Sequence, residues 1–341
     1  MPMTTSTVRQ AEAARENSLR VRLIPFVDRY GVMLLVLAMG AASYLLEPKV
    51  FLTWGNISNI FRQIAFNAML ALGEFLVILT AGIDLSVGSV LALAMMSSAV
   101  LARAGYPLPV LMVVPFVVGL AVGIVNGLGL TKLKLPHAFI MTLGMLNIAR
   151  GLTNLISGGV PISGLPEAFR WMGAGNITVT PDFEIPVSLF VIVGTYILVG
   201  LFLHYSRTGR HIYAIGGNPQ AARVSGINVD RTLVLVYGLC GMLAGFSGLL
   251  LAGRTGSGFP NAGLGQELDA ISAVIIGGAS FFGGRGTVLG VFAGALVIGL
   301  LRNILNLQNV QVFWQQVLIG VVIISVVYFD VLRRRVGSMN A

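Results

Sequence analysis

Ten apolar segments, each near the roughly 20 residues that an α-helix needs to cross a lipid bilayer, follow one another along this chain. They run over 30–47, 60–80, 85–104, 108–130, 137–157, 186–204, 232–253, 268–281, 287–306 and 313–331. Inside hydrocarbon every backbone N–H and C=O must be satisfied within the protein, and segments of this length do so as helices. The expected fold is therefore an all-α polytopic membrane protein of about ten transmembrane helices. Composition agrees, with 56% of the 341 residues hydrophobic and 10% charged, against about 25% charged in a soluble domain. Two segments are weak: the one after Asp84 follows its predecessor almost without a loop, and the one from Leu268 to Phe281 is short and glycine-rich.

The net charge is +9. It does not point to nucleic acid, because the basic residues lie between apolar segments rather than in one patch. Lys and Arg gather in cytoplasmic loops of membrane proteins. With the N-terminus inside, basic residues such as Lys132, Lys134, Arg207, Arg210, Arg223, Arg231, Arg285 and Arg333 fall inside, and only Lys49, Arg62, Arg103, Arg170 and Arg254 fall outside. An even number of crossings fits that bias, with both termini cytoplasmic. The chain divides into a cytoplasmic tail (1–29), a membrane domain (30–331) and a second cytoplasmic tail (332–341). Residues 1–29 have no apolar core of their own, so the first apolar segment reads as an uncleaved span. The single cysteine, Cys240, lies in an apolar segment and reads as packing.

The longest outer loop, 157–185, is rich in proline and glycine and is expected to form turns and short surface helices. Phe169 and Trp171 fit the headgroup level there. Spans two to five and seven to ten suggest an inverted repeat, each half broken once, at Thr80–Ser89 and at Gly277–Gly286. Gly119, Gly123 and Gly127, then Gly241 and Gly245, then Gly286, Gly290 and Gly294 repeat every four residues. Such small-residue stripes favour close helix packing within the chain over a dimer seam.

Several polar residues interrupt the apolar sequence. Asp84 and Ser86 suit a helix N-cap or a turn of the substrate pathway. Glu74 is either protonated, paired with Arg150 or another polar group, or exposed to the pathway. Gln266, Glu267 and Asp269 open the eighth span at its outer end; they suit both hydrogen bonding to a sugar and the acidic first turn of a helix. Asn67, Glu74, Thr80, Asp84, Ser86, Glu267 and Asp269 are the candidate pathway residues. The run from Gly278 to Thr287 fails as a phosphate loop, since Gly284 stands where that motif needs lysine. His137, His204 and His211 have no metal-ligand spacing, and no nucleophile–His–acid set is evident. No catalytic residue, metal or resident cofactor is expected.

The polar loop 205–230 is the strongest functional clue. It is basic, hence cytoplasmic, and after Asn218 it has the residues for a short helix along the membrane, which a separate motor protein could grip. Its blocks Thr208-Gly209-Arg210-x-Ile212-Tyr213-Ala214-Ile215-Gly216-Gly217-Asn218 and Ala221-Ala222-Arg223-x-Ser225-Gly226-Ile227, with Gly82-Ile83-Asp84-Leu85-Ser86-Val87-Gly88-Ser89 and Glu267-Leu268-Asp269-Ala270-Ile271-Ser272-Ala273-Val274, resemble the membrane permeases of bacterial carbohydrate ABC importers. Within that family of ribose, xylose, arabinose and galactose permeases, the ribose branch is nearest, over about Phe51 to Asp330. The resemblance implies a homodimer in the inner membrane, a cytoplasmic ATPase holding ATP and Mg, and a periplasmic sugar-binding protein. It also implies a coupling helix containing Gly217, Asn218, Pro219, Ala221, Ala222, Gly226 and Ile227. Glu74 departs from the uncharged residue expected there. The alternatives are a branched-chain amino-acid permease of the same superfamily and a proton-coupled carrier using Glu74 and Asp84.

Overall fold

The computed structural model describes residues 31–135, 137–180 and 183–338. The expected tail 1–29 and the end of the tail 332–341 lie outside the described residues. The helices are α1 (Gly31–Leu46), α2 (Trp54–Leu79), α3 (Val87–Arg103), α4 (Leu108–Lys132), α5 (Ala138–Ser157), α6 (Glu167–Ala174), α7 (Val187–Tyr205), α8 (Arg207–Gly217), α9 (Pro219–Val224), α10 (Val229–Thr255), α11 (Gln266–Ile276), α12 (Val288–Leu307) and α13 (Val312–Ser338).

Six of these, α2, α4, α5, α7, α10 and α12, are long and apolar enough to cross a membrane. The chain is a helical polytopic membrane protein. Each of the ten apolar segments has become a helix, but α11 has only 11 residues. At about 1.5 Å per residue it covers roughly half of a 30 Å hydrocarbon core.

The all-α expectation needs correction. β1 (Ile162–Ser163) pairs antiparallel with β4 (Ser257–Gly258), and β2 (Asn176–Thr180) with β3 (Phe183–Pro186). Alternating Ile177, Thr178, Val179 and Thr180 favour extended backbone. The same loop folds α6, whose Phe169 is fully buried rather than at a headgroup surface; Trp171 is exposed.

Two interlocked sets of four helices make the core. α10 packs on α3 and α4, and α2 packs on α11 and α12; α3 packs on α4 and α5, and α11 on α12 and α13. α2 and α10, at the centre, also pack on each other. This pattern corrects the expected partner of the first break. The segment that corresponds to Thr80–Ser89, between the first and second helices of its half, is 256–265 and not Gly277–Gly286. The two matching segments meet at Gly88 and Gly263, where a Cβ on either glycine would strike the carbonyl of the other.

The glycine stripes pack within the chain. Gly119 and Gly123 of α4 lie against the Gly241 and Tyr237 carbonyls of α10, and Gly245 against that of Pro115. Gly290 and Gly294 of α12 meet the backbone of Gly277 and Ala273. Gly286 precedes α12, so it is not part of that helical stripe.

Candidate functional site

The first break begins where α2 stops. The Thr80 N–H and hydroxyl both turn back to the Val77 carbonyl, at 2.9 and 2.8 Å. Ala81 then takes a left-handed φ of 61°, and the chain folds back along α2. The Asp84 N–H donates to Glu74 Oε1 at 3.0 Å. The Asp84 carboxylate accepts from the Ser86 N–H at 2.9 Å, the Ser86 hydroxyl at 2.5 Å and Asn126 Nδ2 at 3.3 Å. Asn126 also donates to Ser86 Oγ at 2.9 Å. Glu74, Asp84, Ser86 and Asn126 are all buried.

Two expectations change here. Ser86 occupies the N-cap place of α3, but its side chain makes no capping bond; Asp84 closes the turn ahead of the helix. Glu74 finds its partner in the Asp84 backbone and not in Arg150. Arg150 donates to the carbonyls of Pro260 and Ala262, at 2.5 and 2.8 Å, and so holds the segment 256–265.

That segment places the acids of α11. From Gly258, beside Ala99 near the end of α3, the chain runs back to Gly263 beside Gly88 near its start. α11 therefore begins inside the bundle, and Glu267 and Asp269 do not stand at the outer surface as expected. Asp269 is buried in an ion pair with Arg302 of α12. Glu267 is half-buried, next to Gly88 and within electrostatic reach of Arg150. A cavity of about 340 Å³ opens between α2, α10, α11 and α12, lined by Gln63, Asn67, Arg254, Thr255, Gln266 and Arg302 among apolar neighbours. Its volume is in the range of small-molecule sites. The candidate pathway residues thus separate: Glu74, Thr80, Asp84 and Ser86 build the first break, Asn67 faces the cavity, and Asp269 holds the cavity's Arg302. Asn126 and Arg302 went unassigned in the sequence, although a polar side chain within an apolar span is itself the signal.

The polar loop 205–230 folds as two helices. Ser206 caps α8 by accepting from the Gly209 N–H at 2.8 Å. Ile212, Ile215 and Gly216 turn inward. The Tyr213 hydroxyl donates to the Gly286 carbonyl at 3.1 Å, and burial pushes its pKa up. Gly216 rests directly on the Leu79 carbonyl, which also accepts from the Gly284 N–H at 3.0 Å. So α8 touches both the end of α2 and the loop between α11 and α12. The expected short helix after Asn218 is α9. Asn218 Oδ1 accepts from the N–H groups of Gln220 and Ala221, at 3.0 and 2.9 Å. Gly226 ends the helix with φ 84°. Ala222 is buried with Ile215 and Val229, with Ile227 packed alongside. Gly217, Asn218, Pro219, Ala221 and Gly226 face solvent, and Val224 is 91% exposed.

Comparison with known proteins gives consistent matches. The family described as "Branched-chain amino acid transport system / permease component" matches residues 56–327. The ribose import permease of Escherichia coli K12 is 40% identical over 289 residues, covering 84% of this chain and 88% of that protein. The ribose import permease of Bacillus subtilis is 40% identical over 311 residues, covering 91% and 92%. The D-allose transport system permease of E. coli K12 is 39% identical over 306 residues, covering 89% and 92%. No solved structure matches the chain.

Proposed function

This chain belongs to the permease family of bacterial sugar ABC importers, and from that premise we propose that it carries a monosaccharide across the inner membrane on energy from a separate ATPase. Two copies form the pathway, a periplasmic binding protein delivers the sugar, and the ATPase holds ATP and Mg. The observation that carries this reading is the α8–α9 elbow. Its outer side presents a short capped helix whose residues 217–221 and Val224 stand in solvent, a projection that suits insertion into a partner's cleft. Its inner side rests on the ends of both halves through Leu79 and Gly284. Displacement of α9 by the ATPase therefore reaches the first break and the loop between α11 and α12 at once, as a rigid-element switch between outward- and inward-facing states requires.

Gly217, Asn218, Pro219, Ala221 and Gly226 form the partner-facing part of this elbow. Ala222 and Ile227 anchor it to the chain's own core. The test is uptake by proteoliposomes containing the permease, its ATPase and the loaded binding protein. Val224→Asp changes a solvent-facing residue and is expected to abolish ATP-linked uptake while the protein stays folded in the membrane. Gly226→Pro is expected to do the same. Normal uptake in both variants would refute the role of the elbow. The family description names branched-chain amino acids, so leucine uptake in place of sugar uptake would assign the chain to that branch.

A further inference from the structure

The cavity between α2, α10, α11 and α12 has unsatisfied polar atoms of both kinds. Asn67 is buried, and its Oδ1 has no hydrogen-bond partner; Arg302 Nε is equally enclosed and unpartnered. A buried acceptor and a buried donor left unpaired each cost free energy until a ligand or water completes them. Arg302 is not free to turn away, because its Nη2 is fixed by the buried carboxylate of Asp269. Arg254 approaches the Arg62 carbonyl and Asn59 Oδ1 only at 3.5 Å, so its guanidinium has donor capacity left over. Gln63, Thr255 and Gln266 complete the polar lining.

The two orphan atoms and the polar lining around them narrow the ligand class. Asn67 Oδ1 needs a donor, and Arg302 Nε needs an acceptor. A carboxylate alone has no hydrogen to give Asn67, and an ammonium group alone has no lone pair for Arg302; a zwitterionic amino acid has both, but its apolar remainder offers nothing to Gln63, Thr255 and Gln266. A hydroxyl is both donor and acceptor, and a monosaccharide presents several on a body suited to a cavity of about 340 Å³. We propose that each protomer holds a monosaccharide-binding site inside the membrane domain, with Asn67 accepting from one ligand hydroxyl and Arg302 and Gln266 donating to others. This rests on the sugar-permease reading and deepens it: the permease itself, and not the binding protein alone, selects the ligand.

The test is equilibrium binding of radiolabelled D-ribose, D-allose and D-galactose to the full-length permease with its ATPase in nanodiscs, without binding protein. Saturable binding of at least one sugar is expected, weakened about fivefold by Asn67→Leu, which keeps the side chain's shape and removes its acceptor, a hydrogen bond of about 1 kcal/mol. Gln266→Leu, at the half-buried rim, is the second variant and is expected to weaken binding severalfold. If the wild type binds none of the sugars while binding-protein-driven sugar uptake proceeds, the site is refuted and the transport function stands. Binding unchanged in both variants refutes it equally. If leucine and no sugar is transported, it is the proposed function that fails.

Discussion

Replacing Gly216 by alanine will damage the protein, and the same change at its neighbour Gly217 will not. A Cβ on Gly216 would lie 2.5 Å from the Gly284 nitrogen and closer still to the Leu79 oxygen, where non-bonded heavy atoms settle about 3.5 Å apart. Both obstacles are backbone, and they are hydrogen-bonded to each other at 3.0 Å. No side chain can rotate out of the way. Overpacking of this kind costs about 1–3 kcal/mol, and breaking the Gly284–Leu79 bond adds about 1 kcal/mol. The Gly216→Ala variant should therefore lose about 2–4 kcal/mol, a fall in melting temperature on the order of 5 °C. Gly217 has nothing within 4 Å; alanine there removes glycine's extra entropy cost, a gain of at most about 1 kcal/mol. Thermal unfolding in detergent measures the difference. Equal melting temperatures for the two variants would show that α8 does not rest on Leu79 and Gly284 in the way described.

Other residues give equally specific outcomes. Asp84→Ala leaves the Ser86 N–H and hydroxyl without their acceptor in the interior and should cost about 2–4 kcal/mol in detergent unfolding, whereas Asp84→Asn keeps an acceptor and should cost less. Arg302→Met leaves Asp269 buried without its partner, a loss of about 3–5 kcal/mol, and adding Asp269→Leu should recover most of it; additive losses in that double-mutant cycle would deny the pairing. Gly123→Leu should prevent α4 from seating on α10, while Gly144→Leu, at a glycine with open space around it, should fold normally; retention on size-exclusion chromatography separates the two.

Much of this architecture was legible in the apolar pattern, because the cost of an unsatisfied backbone in hydrocarbon dictates helix and length alike. The packing of the Gly119 and Gly241 stripes within one chain was legible too. The α8 helix was overlooked, although Ile212 and Ile215 stand three apart with Gly209 and Gly216 on the same inward side; glycines diluted the signal. The pairing of the two breaks could not be read locally. Segments 256–265 and 277–286 are both glycine-rich, and only the seating of Gly263 on Gly88 decides between them. Glu267 and Asp269 appeared to be at the surface because the sequence does not reveal that the segment before them descends along α3. A short helix after Asn218 was legible, but the facings of its residues were not: burial of Ala222 depends on Val229, which belongs to the next helix, and nothing local marks Val224 as its most exposed apolar residue.

The seam between α4 and α10 consists of glycine on carbonyl, with almost no side chain between the two backbones. Side chains act as springs, since each has rotamers to change and methyl groups to compress. Along this glycine stripe there are almost none. α10 starts at Val229, directly after the elbow, so a push on its first turn meets no cushion on the way to α4. The two helices form a single stiff plate, and motion has to be taken up elsewhere: at its edges, in the turn around Asp84 and in the loop around Gly284.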